Sequence, residues 1–125
     1  MNVVDSSGWL EYLADGPNSK FFSKAIETTT NLVVPTLSLY EVFKRVLQQR
    51  SEGEALQAVA LMHQGKVVEL TAPIALSAAR ISTDSRLPMA GSIMLATARS
   101  FEAILWTQDA DFEDLPGVKF IAKVK

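Results

Sequence analysis

Apolar residues along this chain come in short bursts separated by longer stretches of helical spacing, a pattern that predicts strands threaded between helices. Val3-Val4 is the first burst and predicts a strand over residues 2–5, followed by a helix from about Ser7 to Leu13. Asp15-Gly16-Pro17-Asn18-Ser19 is dense in helix-breaking residues and marks a turn. Phe21, Phe22, Ala25 and Ile26 then form one apolar stripe, which predicts a helix from about Ser19 to Thr28. Leu32 to Pro35 is the second strand. Ser38 and Glu41 stand in the S-x-x-E spacing of a capping box, so Ser38 is expected to cap a third helix ending near Ser51-Glu52-Gly53. A fourth helix is expected from Glu54 to about Gln64, and a third strand from Lys66 to Leu70. Ala72 to Ile81 reads as a helix with Pro73 in its first turn, where proline is tolerated. Pro88 opens another helix, through about Ser100, whose apolar residues fall on nearly every face, as in buried helices. Ala103–Thr107 and Lys119–Ala122 complete the pattern as the last strands. Such alternation specifies an α/β fold in which a central parallel sheet is flanked by helices on both faces.

Composition narrows the class without changing that picture. The 125 residues are expected to form a single domain over 1–125, with no linker or repeat. No run approaches the roughly 18 apolar residues of a membrane span, and Met1-Asn2-Val3 does not begin a signal peptide, so no membrane partner is expected. The absence of cysteine excludes disulfides, thiolate catalysis and zinc–thiolate sites, and fits a cytoplasmic setting. A net charge of −2 argues against indiscriminate nucleic-acid binding but not against a nuclease with a local basic rim.

Candidate chemistry concentrates in carboxylates at strand ends. Asp5 follows Val3-Val4, Glu41 lies just past Val33-Val34-Pro35, and Asp109 just past Ile104-Leu105-Trp106-Thr107. In an open parallel sheet the carboxyl ends of the strands converge on one crevice. Each acid also has a plain structural reading: Asp5 as a helix cap, Glu41 as the capping-box acid, Asp109 and Asp111 as turn residues. Together at one sheet edge they suggest an oxygen-only site for a hard ion, Mg²⁺ or Mn²⁺. His63, the only histidine, lacks a catalytic partner in its surroundings, and no glycine-rich phosphate loop is present. Met62, Met89 and Met94 are expected to fill core gaps, and Trp9 and Trp106 to be packing residues.

Four segments in order carry a family resemblance. They are Asp5-Ser6-Ser7, Val34-Pro35-Thr36-Leu37-Ser38-Leu39-Tyr40-Glu41-Val42, Arg86-Leu87-Pro88-Met89-Ala90 with Ile93-Met94-Leu95-Ala96-Thr97-Ala98, and Thr107-Gln108-Asp109-Ala110-Asp111-Phe112. Across essentially its whole length the chain resembles PIN-domain proteins of the VapC toxin type. That resemblance implies a PIN-like three-layer fold and a magnesium-dependent endoribonuclease of a toxin–antitoxin system, with tRNA or rRNA as substrate. It also implies a homodimer and a VapB-type antitoxin as partners. In such proteins Asp5, Glu41 and Asp109 hold the metal, Ser6 or Thr107 support them, and Asp111 is peripheral. A second subunit is further expected to cover part of the apolar helix after Pro88.

The third segment departs from the family pattern. Where an aspartate is expected directly after Ala90, this chain has Gly91, which leaves that ligand position without an oxygen. Three readings follow: an inactivating substitution that was selected or engineered, a naturally degenerate copy, or a site that works without this acid. RNA contact is expected from a basic rim of Arg86, Lys44 and Arg45, with Arg50 and Arg99 equally well read as solvated. Two functions follow from the resemblance and this departure: a ribonuclease toxin weakened at Gly91, or a non-catalytic PIN-fold binding protein that keeps dimerisation and antitoxin recognition.

Overall fold

The computed structural model describes residues 1–125. Its elements are β1 (Asn2–Val4), α1 (Ser6–Leu13), α2 (Ser19–Glu27), β2 (Leu32–Pro35), α3 (Thr36–Gln49), α4 (Glu52–Met62), β3 (Lys66–Val68), α5 (Ala72–Ser85), α6 (Met89–Ser100), β4 (Ile104–Thr107) and β5 (Val118–Phe120). Single 3₁₀ turns cover Thr29–Asn31 and Ala110–Phe112. The strands form one five-stranded sheet in the order β3-β2-β1-β4-β5, and every pairing is parallel. The expected α/β architecture is therefore the observed one.

Strand alternation builds two cores, because successive side chains point to opposite sheet faces. Val3, Val33 and Leu105 point to the face covered by α5 and α6, where Ile74, Ala78, Leu95 and Phe112 meet them. Val4, Val34 and Trp106 point to the other face, against Trp9, Phe22, Val42 and Met62 of α1–α4. At Gly8 the start of α1 comes so close to the sheet that a Cβ would lie 2.6 Å from the Phe22 ring and 2.7 Å from Val4 Cγ1. This close approach seats α1 directly behind Asp5.

Several expected boundaries and roles shift. Ser38 does not cap α3, because β2 runs straight into the helix, with Pro35 at the N-cap. Ser38 instead lies fully buried in the first turn, its hydroxyl turned toward Met94 Sδ at 3.4 Å. The capping box is thus not formed, and Glu41 is free for another partner. Helix α4 begins two residues early at Glu52, since Ser51 accepts the Glu54 N–H at 3.1 Å. Helix α5 continues past Ile81 to Ser85, and Arg86 closes it in the left-handed region at φ 57°. Met62 and Met94 are core residues as expected, but Met89, at the solvent-facing start of α6, is 75% exposed. Helix α6 finds its apolar neighbours in its own chain: Met94, Leu95, Ala96 and Ala98 are all buried there. The apolar faces of α6 therefore give no separate reason for a second subunit. No helix is long and apolar enough to cross a membrane.

Candidate active site

Sheet order places the topological switch beside β1, whose neighbours β2 and β4 are reached in opposite directions. In open α/β sheets that is where a crevice opens beyond the strand ends. Asp5 leaves β1 at this point, and its backbone N–H still bonds the Trp106 carbonyl of β4 at 3.1 Å. Its side chain is both helix cap and buried acid. Oδ1 accepts from the Gly8 N–H at 2.9 Å and the Ser7 hydroxyl at 2.8 Å, while Oδ2 accepts from the Thr107 hydroxyl at 2.5 Å. The capping reading and the site reading are therefore one arrangement.

Thr107, fully buried at the end of β4, links two acids. Its single hydroxyl proton goes to Asp5, and the same oxygen accepts the Asp109 N–H at 2.9 Å. Asp109 Oδ1 in turn accepts the N–H of Asp111, starting the 3₁₀ turn. Glu41 reaches the same edge from α3: the Ser6 hydroxyl donates to its Oε1 at 2.6 Å. Ser6 and Thr107 thus stand as hydrogen-bond donors to Glu41 and Asp5, while Asp111 is exposed.

Burial holds the Asp5 carboxyl above the ordinary carboxylate range. The hydrogen bonds from Thr107, Gly8 and Ser7 pull the other way, and the nearby Asp109 charge pushes it further up. No basic group is among these influences. A desolvated carboxylate facing a second acid, with hydroxyls and backbone N–H groups as its only relief, is a place where a cation lowers the energy. No three acidic or histidine side chains close into a metal cage. Mg²⁺ does not require one, because it keeps several waters and is commonly bound through one or two carboxylates. The oxygen-only donor set of Asp5 and Asp109, with Glu41 beside them, fits such an ion.

Gly91 occupies the first turn of α6. A Cβ built there would lie 2.9 Å from Phe112 Cζ. The nearest neighbour of a side chain at 91 would be this buried aromatic ring. Phe112 is 2% exposed and belongs to the α5–α6 core, so the start of α6 packs on that core.

The expected basic residues lie at the periphery. Lys44 and Arg45 are exposed at i+3 and i+4 from Glu41, hence on its side of α3. Lys44 Nζ stands 5.6 Å above the Tyr40 ring. Arg86 is exposed in the α5–α6 connection, while Arg99 bonds the Pro116 carbonyl at 3.0 Å. His63 is exposed and meets only the Val59 carbonyl, at 3.0 Å. Sequence reasoning missed Asn18 and Gln108, two buried amides bonded to each other at 2.9 Å. The signal available was a polar pair in otherwise apolar or turn contexts, too common to single out.

A parallel sheet with acids at its switch point defines a class of α/β proteins that work at the strand ends. Within it, the PIN-domain family model matches residues 3–118, and the chain belongs to the PIN-domain family. No curated protein matches the chain. Solved structures do. A chain of a toxin–antitoxin complex from Klebsiella pneumoniae superposes with a TM-score of 0.78 at 20% identity, covering 95% of this chain and 96% of that one. Mycobacterium tuberculosis VapC20, a sarcin–ricin loop cleaving toxin, gives 0.75 at 16% identity, covering 93% and 95%. VapBC2 from Rickettsia felis, bound to a promoter DNA fragment, gives 0.75 at 8% identity, covering 97% of both chains. At these identities the likeness is one of fold.

Proposed function

We propose that this chain is a metal-dependent endoribonuclease toxin of the VapBC type, weakened by Gly91. The observation that carries the reading is the Asp5–Thr107–Asp109 chain of hydrogen bonds at the switch point of a PIN-family sheet. Asp5, Asp109 and Glu41 would hold Mg²⁺ or Mn²⁺. Bound there, the ion supplies water activation and charge neutralisation for attack on an RNA phosphodiester. The protein's own contribution is placement. Thr107 and Ser6 hold two carboxylates in fixed orientation, and burial keeps Asp5 poorly solvated, so that a cation is favoured. Arg86, Lys44 and Arg45 would contact RNA phosphates along the rim. A VapB-type antitoxin and a second copy of the chain are the proposed partners, in line with the toxin–antitoxin complexes that share the fold.

One observation favours a second reading. The Phe112 ring fills the space beside Gly91, as suits a PIN-fold protein that binds partners without cleaving RNA. Cleavage of tRNA and rRNA with Mg²⁺ and with chelator separates the two. The expected result is weak metal-dependent cleavage by the parent, none by Asp5→Asn, and an increase of at least about tenfold for Gly91→Asp, the size of loss that even a supporting group brings at metal sites. Equal cleavage by the parent and Gly91→Asp would show that this acid is not needed here. No cleavage by either would favour the binding protein.

A further inference from the structure

Behind the acids lies a second polar cluster that the proposed reaction does not use. Thr107, Gln108 and Asp109 are consecutive; Thr107 turns its hydroxyl to Asp5, while Gln108, directly after β4, turns its amide to Asn18. Gln108 is 7% exposed and Asn18 is 5% exposed. Gln108 Oε1 accepts from Asn18 Nδ2 at 2.9 Å, and Nε2 is directed at the Ser7 carbonyl and Glu11 Oε1, each at 3.5 Å. Asn18 Nδ2 also donates to the Ala122 carbonyl at 3.1 Å, and the Asn18 N–H donates to Glu11 Oε2 at 2.7 Å. The Ile121 N–H bonds the Thr107 carbonyl at 3.0 Å. The α1–α2 turn and the C-terminal tail therefore meet at the segment that bears the site.

Two buried amides that satisfy each other are often only internal glue. Here the placement gives them a further consequence. The Asp109 N–H that bonds Thr107 Oγ1 belongs to the peptide joining Gln108 to Asp109, so anchoring the Gln108 side chain restrains the rotation of that peptide. We infer that the Asn18–Gln108 amide pair is a positioning device that orients the peptide carrying Asp109 and so sets its place relative to Asp5. The effect on metal binding rests on the reading of Asp5 and Asp109 as the metal-holding acids; the effect on the peptide does not.

The test uses Asn18→Ala, Gln108→Ala, the single length changes Asn18→Gln and Gln108→Asn, and the swapped pair Asn18→Gln with Gln108→Asn, which restores the summed length. Amide hydrogen exchange is measured at Asp109 and Asp111 and at Leu105 in the core, and Mn²⁺ affinity is titrated without RNA. Each single change is expected to lower protection at Asp109 and to weaken Mn²⁺ binding by about tenfold, the lower end of effects from groups behind metal ligands. Protection at Leu105 should stay unchanged, and the swapped pair should recover both losses. Equal loss at Leu105 and Asp109 would mean a purely structural role and overturn the inference, as would unchanged protection at Asp109 or a swap no better than the single changes. If Asp5→Asn leaves Mn²⁺ affinity unaltered, the metal reading fails, and the exchange data alone then decide whether the pair positions Asp109.

Discussion

On the Asp5 side of the crevice both carboxylate oxygens meet donors, two from the start of α1 and one from the end of β4. At Gly91, in α6, an aromatic ring lies against a residue with no side chain, and the contact is one of volume alone. The two regions fail differently. Removing a group from a buried hydrogen-bonded cluster strands its partners without water, at about 1–3 kcal/mol per stranded group. Apolar packing tolerates exchange as long as volume is conserved. Position 91 can therefore go without a side chain while a neighbouring ring fills the space, whereas losing Asp5 disturbs fold and hydrogen-bonded cluster together.

The largest effect should accordingly come from Asp5→Ala. It removes a helix cap and leaves the buried Thr107 hydroxyl and the Gly8 N–H without their acceptor, for a loss of about 2–4 kcal/mol. Denaturant unfolding should show this as a lower midpoint with an unchanged slope. A loss below about 0.5 kcal/mol, the least that removal of a cap costs, would mean that the cluster is not cooperative.

Asp5→Asn separates charge from shape. The Asp5 pKa is raised in the folded chain by burial and by Asp109, so between the ordinary aspartate value, about 3.9, and the raised one the native state holds a proton that the unfolded chain has released. This contribution to stability is fully present below the ordinary value and is lost as pH rises through the raised one. Melting temperature followed across that window should fall in the parent, set against the same curve for Asp5→Asn, which lacks the titrating group and should be flatter. Parallel curves for the two proteins would show that Asp5 is not desolvated.

Much of this was legible in the sequence for definite reasons. Val3-Val4, Val33-Val34 and Leu105-Trp106 are runs buried on both faces, and such runs read as central strands whatever packs on them. Asp5, Glu41 and Asp109 each come just past a strand, and parallel strands present those ends to one edge, so their grouping could be expected from the sequence. What stayed hidden depends on direction rather than order. Ser38 looked like a cap because its spacing to Glu41 matches a capping box; only the uninterrupted passage from β2 into α3 shows that it points inward. Glu41's true partner, Ser6, is 35 positions away. Nothing in the one-dimensional pattern tells that Phe112, just past Asp109, turns back onto Gly91.

That contact sets the next effect in size. Gly91→Asp gains a few tenths of a kcal/mol in helix propensity and about 0.3–1 kcal/mol from an acid in the first turn of α6. Against this, the new Cβ crowds the Phe112 ring, and overpacking of a core costs about 1–3 kcal/mol. The balance is a metal-free protein that is less stable by roughly 1 kcal/mol, with added Mg²⁺ expected to reverse the loss. In the Gly91→Asp background, Phe112→Leu should cost less than it does in the parent, with a coupling of about 0.5–1.5 kcal/mol in a double-mutant cycle. Strict additivity would mean that the ring does not oppose a side chain at 91.

The smallest effect divides a backbone cost from a charge at Arg86, in the α5–α6 connection. Its φ of 57° is left-handed, a region that costs a residue with a Cβ about 1–2 kcal/mol and glycine nothing. Part of that gain is lost again, because glycine gives the unfolded chain more freedom, so Arg86→Gly should stabilise by at most about 1 kcal/mol. Arg86→Ala keeps the strain and should leave stability within about 0.5 kcal/mol of the parent, as surface changes usually do. If Arg86 also contacts RNA, both variants lose the same phosphate contact, and the slope of log affinity against log salt should fall by about 1 in each. Matching slopes with differing stabilities would assign the charge to RNA and the conformation to the helix end. Slopes equal to the parent's would remove Arg86 from the rim and leave RNA contact to Lys44 and Arg45, on the Glu41 side of α3.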